Sequence, residues 1–178
     1  MEILSLYSLL KTELEESEVY DYLSSFTCAK NPDVESFLHK HAINNEKRSF
    51  SRTFLVIDET TEKFDIIGYF TLLIKNFKFT DVSGTTRNKL TGNRRATSFN
   101  TVLIAQLGRA DKYKGIVPGK DILELALEKC SQVNTLAAVR VACVEYEDIP
   151  ILCDFYESNG FTLLQKNENG YLISYVRI

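Results

Sequence analysis

Apolar residues recur along the chain with two different spacings, and the changes between them predict alternating helices and strands. Asn31 followed by Pro32 is typical of a helix start. A helix that ends near Asn44 or Asn45 is indicated by the helical spacing of Val34, Phe37, Leu38 and His41. Two apolar runs, residues 53–57 and 66–74, then flank a polar stretch, and this pattern predicts an antiparallel hairpin.

The next part of the chain has the pattern of a strand, a helix and another strand. Residues 101–107 are apolar enough for a central strand. One face of the following helix is marked by Ile122, Leu123, Ala126, Leu127 and Cys130. Residues 138–145 form the next predicted strand, so the three elements make a crossover unit.

The stretch LCDFYESNGF, residues 152–161, predicts a helix that ends at a glycine cap and leads into a strand. Gly160 suits a left-handed cap, and Phe161 begins the next element. Residues 161–164 and 171–176 form a final predicted hairpin. On this pattern alone, Tyr156 has no role beyond packing.

Length and composition favour one domain of the α/β (α+β) class spanning residues 1–178. The chain is 44% hydrophobic, which is enough for a substantial core. A net charge of −3 argues against a general polyanion-binding protein. The N-terminus has no basic leader, and no apolar run approaches the length of a membrane span, so we expect a cytoplasmic protein without membrane contact.

The cysteines and histidines predict no metal site. Four widely spaced cysteines lie among apolar residues and are expected to be reduced packing residues. His39 and His41 are two residues apart and therefore point to different helix faces.

The segment from Lys75 to Arg95, which we call the basic segment, has a strong local excess of positive charge. It holds six positive charges against Asp81 alone, or +5, which leaves −8 for the rest of the chain. Such asymmetry is typical of a surface for a phosphate-rich partner such as tRNA or for an acidic peptide. A solvated, mobile loop explains the composition equally well.

The turn from Asp111 to Lys120 connects the central strand to its helix and has the composition of an anion cradle. Glycine lets the backbone approach an anion, and a helix that starts near Gly119 directs free amides and its positive dipole end at the turn. The alternative is an ordinary strand-to-helix loop whose lysines face water.

These pieces, in this order, resemble the GNAT superfamily of acyl-coenzyme A dependent N-acyltransferases. The family turn Q/R-x-x-G-x-G/A corresponds to residues 114–119, KGIVPG, with Lys114 at the first position, Val117 at a glycine position and Pro118 removing one amide. Upstream, Phe26-Thr27-Cys28, SRTFLVID and IIGYFTL are similar to a subgroup that includes acetyltransferase toxins acting on charged tRNA.

The resemblance implies a mixed, mostly antiparallel sheet of about six to seven strands, flanked by helices and splayed between the fourth and fifth strands. It implies acetyl-coenzyme A as cosubstrate and no metal. The pantetheine arm would lie along Leu107, Gly108 and Arg109. The pyrophosphate would lie on the turn, at Lys114, Gly115, Ile116, Val117, Gly119 and Lys120.

The chain offers two catalytic candidates, of which the resemblance implies the first. Tyr156 matches the family tyrosine that protonates the leaving thiolate. Glu145, in an acidic cluster with Glu147 and Asp148 after the fifth strand, is a candidate base, although such a cluster is commonly just solvated.

Three functions therefore remain open. The first is an N-acetyltransferase in which a primary amine attacks the thioester directly. The second is a toxin-like acetyltransferase of aminoacyl-tRNA, with the basic segment as its RNA contact. The third is a non-catalytic module that binds coenzyme A or a partner protein. The sequence leaves the amine acceptor unidentified and the oligomeric state open, with a homodimer as one expectation.

Overall fold

Seven strands and seven helices make up the chain in a computed structural model that describes all residues from Met1 to Ile178. The strands are β1 (Glu2–Ser5), β2 (Arg52–Asp58), β3 (Asp65–Lys78), β4 (Ser98–Arg109), β5 (Val141–Tyr146), β6 (Thr162–Lys166) and β7 (Leu172–Arg177). The helices are α1 (Leu6–Leu9), α2 (Glu16–Ser24), α3 (Pro32–Lys40), α4 (Ala42–Lys47), α5 (Gly84–Thr91), α6 (Gly119–Ala137) and α7 (Pro150–Ser158).

The strands form a mixed sheet in the order β1-β2-β3-β4-β5-β7-β6. The β2–β3 and β6–β7 pairs are antiparallel, which confirms both predicted hairpins. The β4–β5 pair is parallel, with Val102–Ile104 opposite Ala142–Val144, so α6 is the predicted crossover helix. β4 continues five residues beyond this paired stretch, to Arg109. The predicted class, strand number and crossover are confirmed.

The chain divides into two compact units. The first contains Met1–Leu73 and Gln106–Ala126, and the second contains Ile74–Ala105 and Leu127–Ile178. β3, β4 and α6 each run from one unit into the other. The first unit contains the candidate phosphate turn, and the second contains Tyr156 and the basic segment.

The helix predicted from Pro32 to Asn44 or Asn45 is two helices. The start is confirmed: Asn31 caps α3 with its side-chain oxygen, which accepts from the Val34 amide at 3.3 Å, and Pro32 is the first helical residue. At His41 the backbone leaves helical geometry, with φ near −120°, and α4 begins at the next residue. The apolar spacing continues across this break, which is why it gave no sequence signal.

The basic segment is structured over most of its length. Its first four residues belong to β3, and α5 follows. The Ser83 hydroxyl caps α5 by accepting from the Thr86 amide at 3.1 Å, and Gly92, at φ +78°, ends it in the left-handed conformation. The segment is therefore not an irregular loop over most of its length.

The strand predicted over residues 138–145 starts three residues later. Ala138 follows α6 at φ +55°, and its amide donates to the Asn134 carbonyl at 2.8 Å. This is a helix-ending geometry that usually takes glycine, so alanine concealed it in the sequence.

Candidate active site

The candidate phosphate turn begins where β4 ends. A single 3-10 turn, Asp111–Tyr113, follows the strand. Gly115 has φ +80°, a conformation in which any other residue would be strained, and α6 starts at Gly119. Strand, turn and helix start are therefore placed as the sequence predicts.

The backbone amides of the turn fall into two groups. Those of Lys114, Ile116 and Val117 donate at 3.0, 3.1 and 3.0 Å to the carbonyls of Asp111, Tyr113 and again Tyr113. Those of Gly115, Gly119 and Lys120 have no protein acceptor. Amides at a helix start need a partner, and an anion can be that partner. The turn thus offers three free amides.

Arg109 braces this turn. Its guanidinium donates to the Val117 carbonyl at 2.8 Å, which spans the turn from the end of β4. The resemblance predicts that Arg109 lies along the pantetheine arm of the coenzyme. The geometry adds a second role for it, which is to fix the shape of the phosphate turn.

Gly108 allows α3 and the side chain of Phe26 to approach the sheet closely. A Cβ at this position would lie 2.4 Å from Val34 Cγ1 and 3.3 Å from Phe26 Cζ. Gly68 of β3 is equally confined, since its Cβ would lie 2.5 Å from the Gly108 carbonyl oxygen. These two glycines let the end of β4, with Leu107, pack tightly beside β3.

Tyr113 supports the turn through hydrogen bonds of its carbonyl and its hydroxyl. It is buried, its carbonyl accepts two turn amides, and its hydroxyl donates to Asp58 Oδ2 at 2.9 Å. Hydrogen bonds from Thr60, and then from Tyr113, hold the pKa of Asp58 below its ordinary value. Burial, and then the bond to Asp58, raise the pKa of Tyr113 to about 12.

Tyr156, a residue of α7, lies in an aromatic cluster. Its ring centroid is 4.6 Å from Tyr146, 5.1 Å from Phe155 and 5.5 Å from Phe161. The Phe161 amide donates to the Tyr156 carbonyl at 3.0 Å, and Gly160, at φ +85°, makes this return possible. The packing role expected from the pattern is real.

The Tyr156 hydroxyl, in contrast, has no protein partner, although only 8% of the residue is exposed. It is not sealed off from solvent, because the one fully enclosed side-chain polar atom without a partner is the Ser51 hydroxyl. Burial, and then the neighbouring Tyr146, raise the pKa of Tyr156. The phenol therefore stays protonated and can donate a proton or hydrogen bond.

Glu145 is occupied on both carboxylate oxygens. Lys75 Nζ contacts Oε2 at 2.5 Å, and Asn167 Nδ2 donates to Oε1 at 3.0 Å. In the same acidic cluster, Asp148 pairs with Lys166 at 2.7 Å. Both oxygens of the Glu145 carboxylate are therefore already in contact with donors of the protein itself.

The structure thus gathers the candidates into two groups. All nine coenzyme candidates lie at the end of β4, on the turn or at the start of α6, within the first unit. Tyr156 and Glu145 lie in the second unit. Sequence reasoning missed Asn167 and Tyr146, although the aromatic character of Tyr146, two residues from Val144 on a buried strand, was a usable signal.

No family model and no curated protein sequence matches the chain. Solved structures do. An AtaT tyrosine-to-phenylalanine mutant toxin bound to the C-terminus of the antitoxin AtaR and acetyl-CoA superposes with a TM-score of 0.71 at 18% identity, covering 99% of this chain and 92% of that one. The chain has the GNAT fold. AtaT complexed with acetyl-methionyl-tRNAfMet gives a TM-score of 0.69 at 18% identity, covering 85% of each chain. A tyrosine-to-phenylalanine mutant of KacT gives 0.73 at 15% identity, covering 99% of this chain and 95% of that one.

Two further observations concern the chain as a whole. No helix of this protein is both long enough and apolar enough to cross a membrane. No group of three or more His, Cys, Asp or Glu side chains is arranged to hold a metal ion.

Proposed function

We propose that the protein is an acetyl-coenzyme A dependent N-acetyltransferase acting on a primary amine. The observation that carries the proposal is the Tyr156 phenol, which is fixed by packing on α7 of a GNAT fold, protonated, and without a protein partner for its hydroxyl. Two AtaT structures of the same fold contain acetyl-CoA, and tyrosine-to-phenylalanine mutants are among the AtaT and KacT structures of this fold.

The turn and the end of β4 would hold the cosubstrate. The free amides of Gly115, Gly119 and Lys120 would bind pyrophosphate oxygens, assisted by the charges of Lys114 and Lys120. Leu107, Gly108 and Arg109 would lie beside the pantetheine arm, and Ile116 and Val117 would shape the turn because their own amides are already bonded.

In the reaction, the amine nitrogen forms a bond to the acetyl carbon as the carbon–sulfur bond breaks. Tyr156 would give its proton to the departing thiolate, which is the role of a general acid. The amine must lose one proton. Because Lys75 and Asn167 occupy both oxygens of Glu145, we assign that proton to water in the first instance.

Glu145→Gln tests this assignment. If Glu145 is the base, the rate should fall by about 10²-fold or more. Water as acceptor predicts a loss below about tenfold, and Glu147→Gln, at an exposed neighbouring carboxylate, is the matched control.

The activity itself is tested by incubating the protein with acetyl-coenzyme A and a panel of polyamines, peptide N-termini and aminoacylated tRNA. Acetyl transfer to any member with matching thiol release supports the proposal. Coenzyme binding without transfer or thiol release, across the whole panel, would instead favour a non-catalytic binding module.

A second candidate, acetylation of aminoacyl-tRNA, is favoured by the charge of the basic segment. Lys78, Lys89, Arg94 and Arg95 are exposed and have no carboxylate partner. Lys75 and Arg87 are engaged within the protein. An AtaT structure of the same fold holds acetyl-methionyl-tRNAfMet.

Charge reversal separates this candidate from small-amine acceptors. Arg94→Glu with Arg95→Glu should weaken binding of aminoacylated tRNA and reduce its log–log salt slope by roughly one unit per lost phosphate contact. Lys63→Glu, at an exposed position outside the basic segment, is the control. An unchanged slope would remove the basic segment from RNA binding.

A further inference from the structure

In the aromatic cluster around Tyr156, only Tyr146 has a ring hydroxyl that is hydrogen-bonded within the protein. Its hydroxyl is 2.9 Å from the Ser174 hydroxyl, and both residues are buried. Ser174 lies opposite Val144 across the antiparallel β5–β7 pair, so Tyr146 and Ser174 are diagonal neighbours on one face of the sheet.

The Tyr156 ring packs against the ring of Tyr146. The two centroids are 4.6 Å apart with an interplanar angle of 38°, whereas Phe155 and Phe161 meet Tyr156 edge-on at 70° and 67°. Because the Tyr156 hydroxyl has no partner of its own, packing alone sets its direction. The rigidity of Tyr146 therefore decides how well that direction is held.

We infer that Tyr146 and Ser174 are positioning residues, which aim the Tyr156 hydroxyl by locking the ring on which Tyr156 packs. This inference rests on the proposed role of Tyr156 as proton donor. Losing the Ser174 hydroxyl leaves the Tyr146 hydroxyl buried without its partner, so the ring shifts to find another. Tyr156 then shifts with it, and a donor misplaced by a fraction of an ångström is a poorer acid.

The first test needs no activity. Among the nine tyrosines, isotope-labelled for NMR, the Tyr156 ring signals are identified by their loss in Tyr156→Phe. Ser174→Ala and Tyr146→Phe should both shift these signals, because a displaced neighbouring ring changes the local ring current. Ser174→Thr, which keeps the hydroxyl, should restore them.

Thr101→Val is the matched control. It removes another buried strand hydroxyl, which donates to the Val141 carbonyl at 2.8 Å, and it should leave the Tyr156 signals in place. Unshifted Tyr156 signals in Ser174→Ala would overturn the inference whatever the activity of the protein.

The second test is a double-mutant cycle in single-turnover transfer from acetyl-coenzyme A to a pool of aminoacylated tRNA. Ser174→Ala should lower the rate by about tenfold in the wild-type background, with the KM for the coenzyme unchanged. In the Tyr156→Phe background the same change should cost less than about twofold, since no donor is left to aim.

The outcomes of the cycle are distinct. Equal losses in both backgrounds would mean that Ser174 acts only through stability, and the inference fails while the role of Tyr156 stands. A Tyr156→Phe variant at the full rate would remove the proposed acid, and the inference with it.

Discussion

At the residue scale, Tyr156 shows that packing and chemistry are separate properties of one side chain. The sequence pattern correctly predicted a buried ring in a helix that stops just before Gly160, because helical spacing and a left-handed glycine are local signals. It could not predict the unpartnered hydroxyl or the contacts of Glu145. The contacts of Glu145 depend on Lys75, 70 residues away along the chain, and on Asn167 in another hairpin.

A residue-scale prediction concerns the hydrogen bond between Tyr113 and Asp58. The lowered pKa of Asp58 means that its contribution to stability is complete above the pKa of the unfolded state, about 4, and is lost as pH falls through the folded value. The pKa of Tyr113, raised to about 12, means that its contribution is complete below about pH 10 and is lost as pH rises toward 12.

Tyr113→Phe should therefore lower the free energy of unfolding most at neutral pH, with a smaller difference from wild type at both extremes. Urea titrations from about pH 3 to about pH 11 measure this directly. Tyr171→Phe, at an exposed tyrosine, should show little difference at any pH. A Tyr113→Phe effect that is constant with pH would mean that the bond to Asp58 contributes nothing.

At the scale of elements, the sequence predicted every strand of the two hairpins and the crossover, since their apolar runs are long and bounded by polar turns. It did not predict α5. The basic segment has low apolar periodicity, and α5 depends instead on the Ser83 cap, the Gly92 end and the side chain of Arg87. The last of these is a tertiary contact that spacing does not reveal.

Arg87 holds the α5 region together. Its Nε, Nη1 and Nη2 donate to the carbonyls of Val82, Ala96 and Thr80 at 2.9, 3.2 and 3.3 Å. A lysine cannot reproduce this fork. In Arg87→Lys we expect the α5 amides to exchange with solvent about tenfold faster, equivalent to about 1.4 kcal/mol, with global stability less affected.

Hydrogen exchange followed by mass spectrometry measures that change. Arg95→Lys is the control, since the Arg95 side chain is exposed and makes no hydrogen bond or ion pair within the protein. Equal exchange in the two variants would show that α5 does not depend on the guanidinium.

At the scale of the whole molecule, the proposal joins a GNAT fold to a phosphate turn that departs from the family sequence. Pro118 supplies no amide, and the amide of Val117 is already bonded. The amides of Gly115, Gly119 and Lys120 nevertheless remain free, and the last two belong to the start of α6. Fold and turn position were predictable from the order of elements. Which amides stay free was not, because it depends on the Tyr113 carbonyl and on the Arg109 brace.

Coenzyme A should therefore stabilise the folded protein. Saturation at about one hundred times Kd adds about 2.7 kcal/mol, which should raise the Tm by several degrees. Gly119→Leu should abolish most of this rise by crowding the turn, whereas Gly84→Ala, at the start of α5, should preserve it. A rise in Tm that Gly119→Leu leaves intact would place the coenzyme elsewhere.

The central claim is that this protein transfers an acetyl group with Tyr156 as proton donor, and single-turnover transfer by Tyr156→Phe tests it most directly. The substitution keeps the ring and its packing against Tyr146 and removes only the hydroxyl. We predict a fall in rate of about 10²- to 10⁴-fold with unchanged coenzyme affinity, while Tyr20→Phe, at an exposed tyrosine, keeps the wild-type rate. A Tyr156→Phe rate above about one third of wild type would contradict the claim, because losing a general acid costs far more.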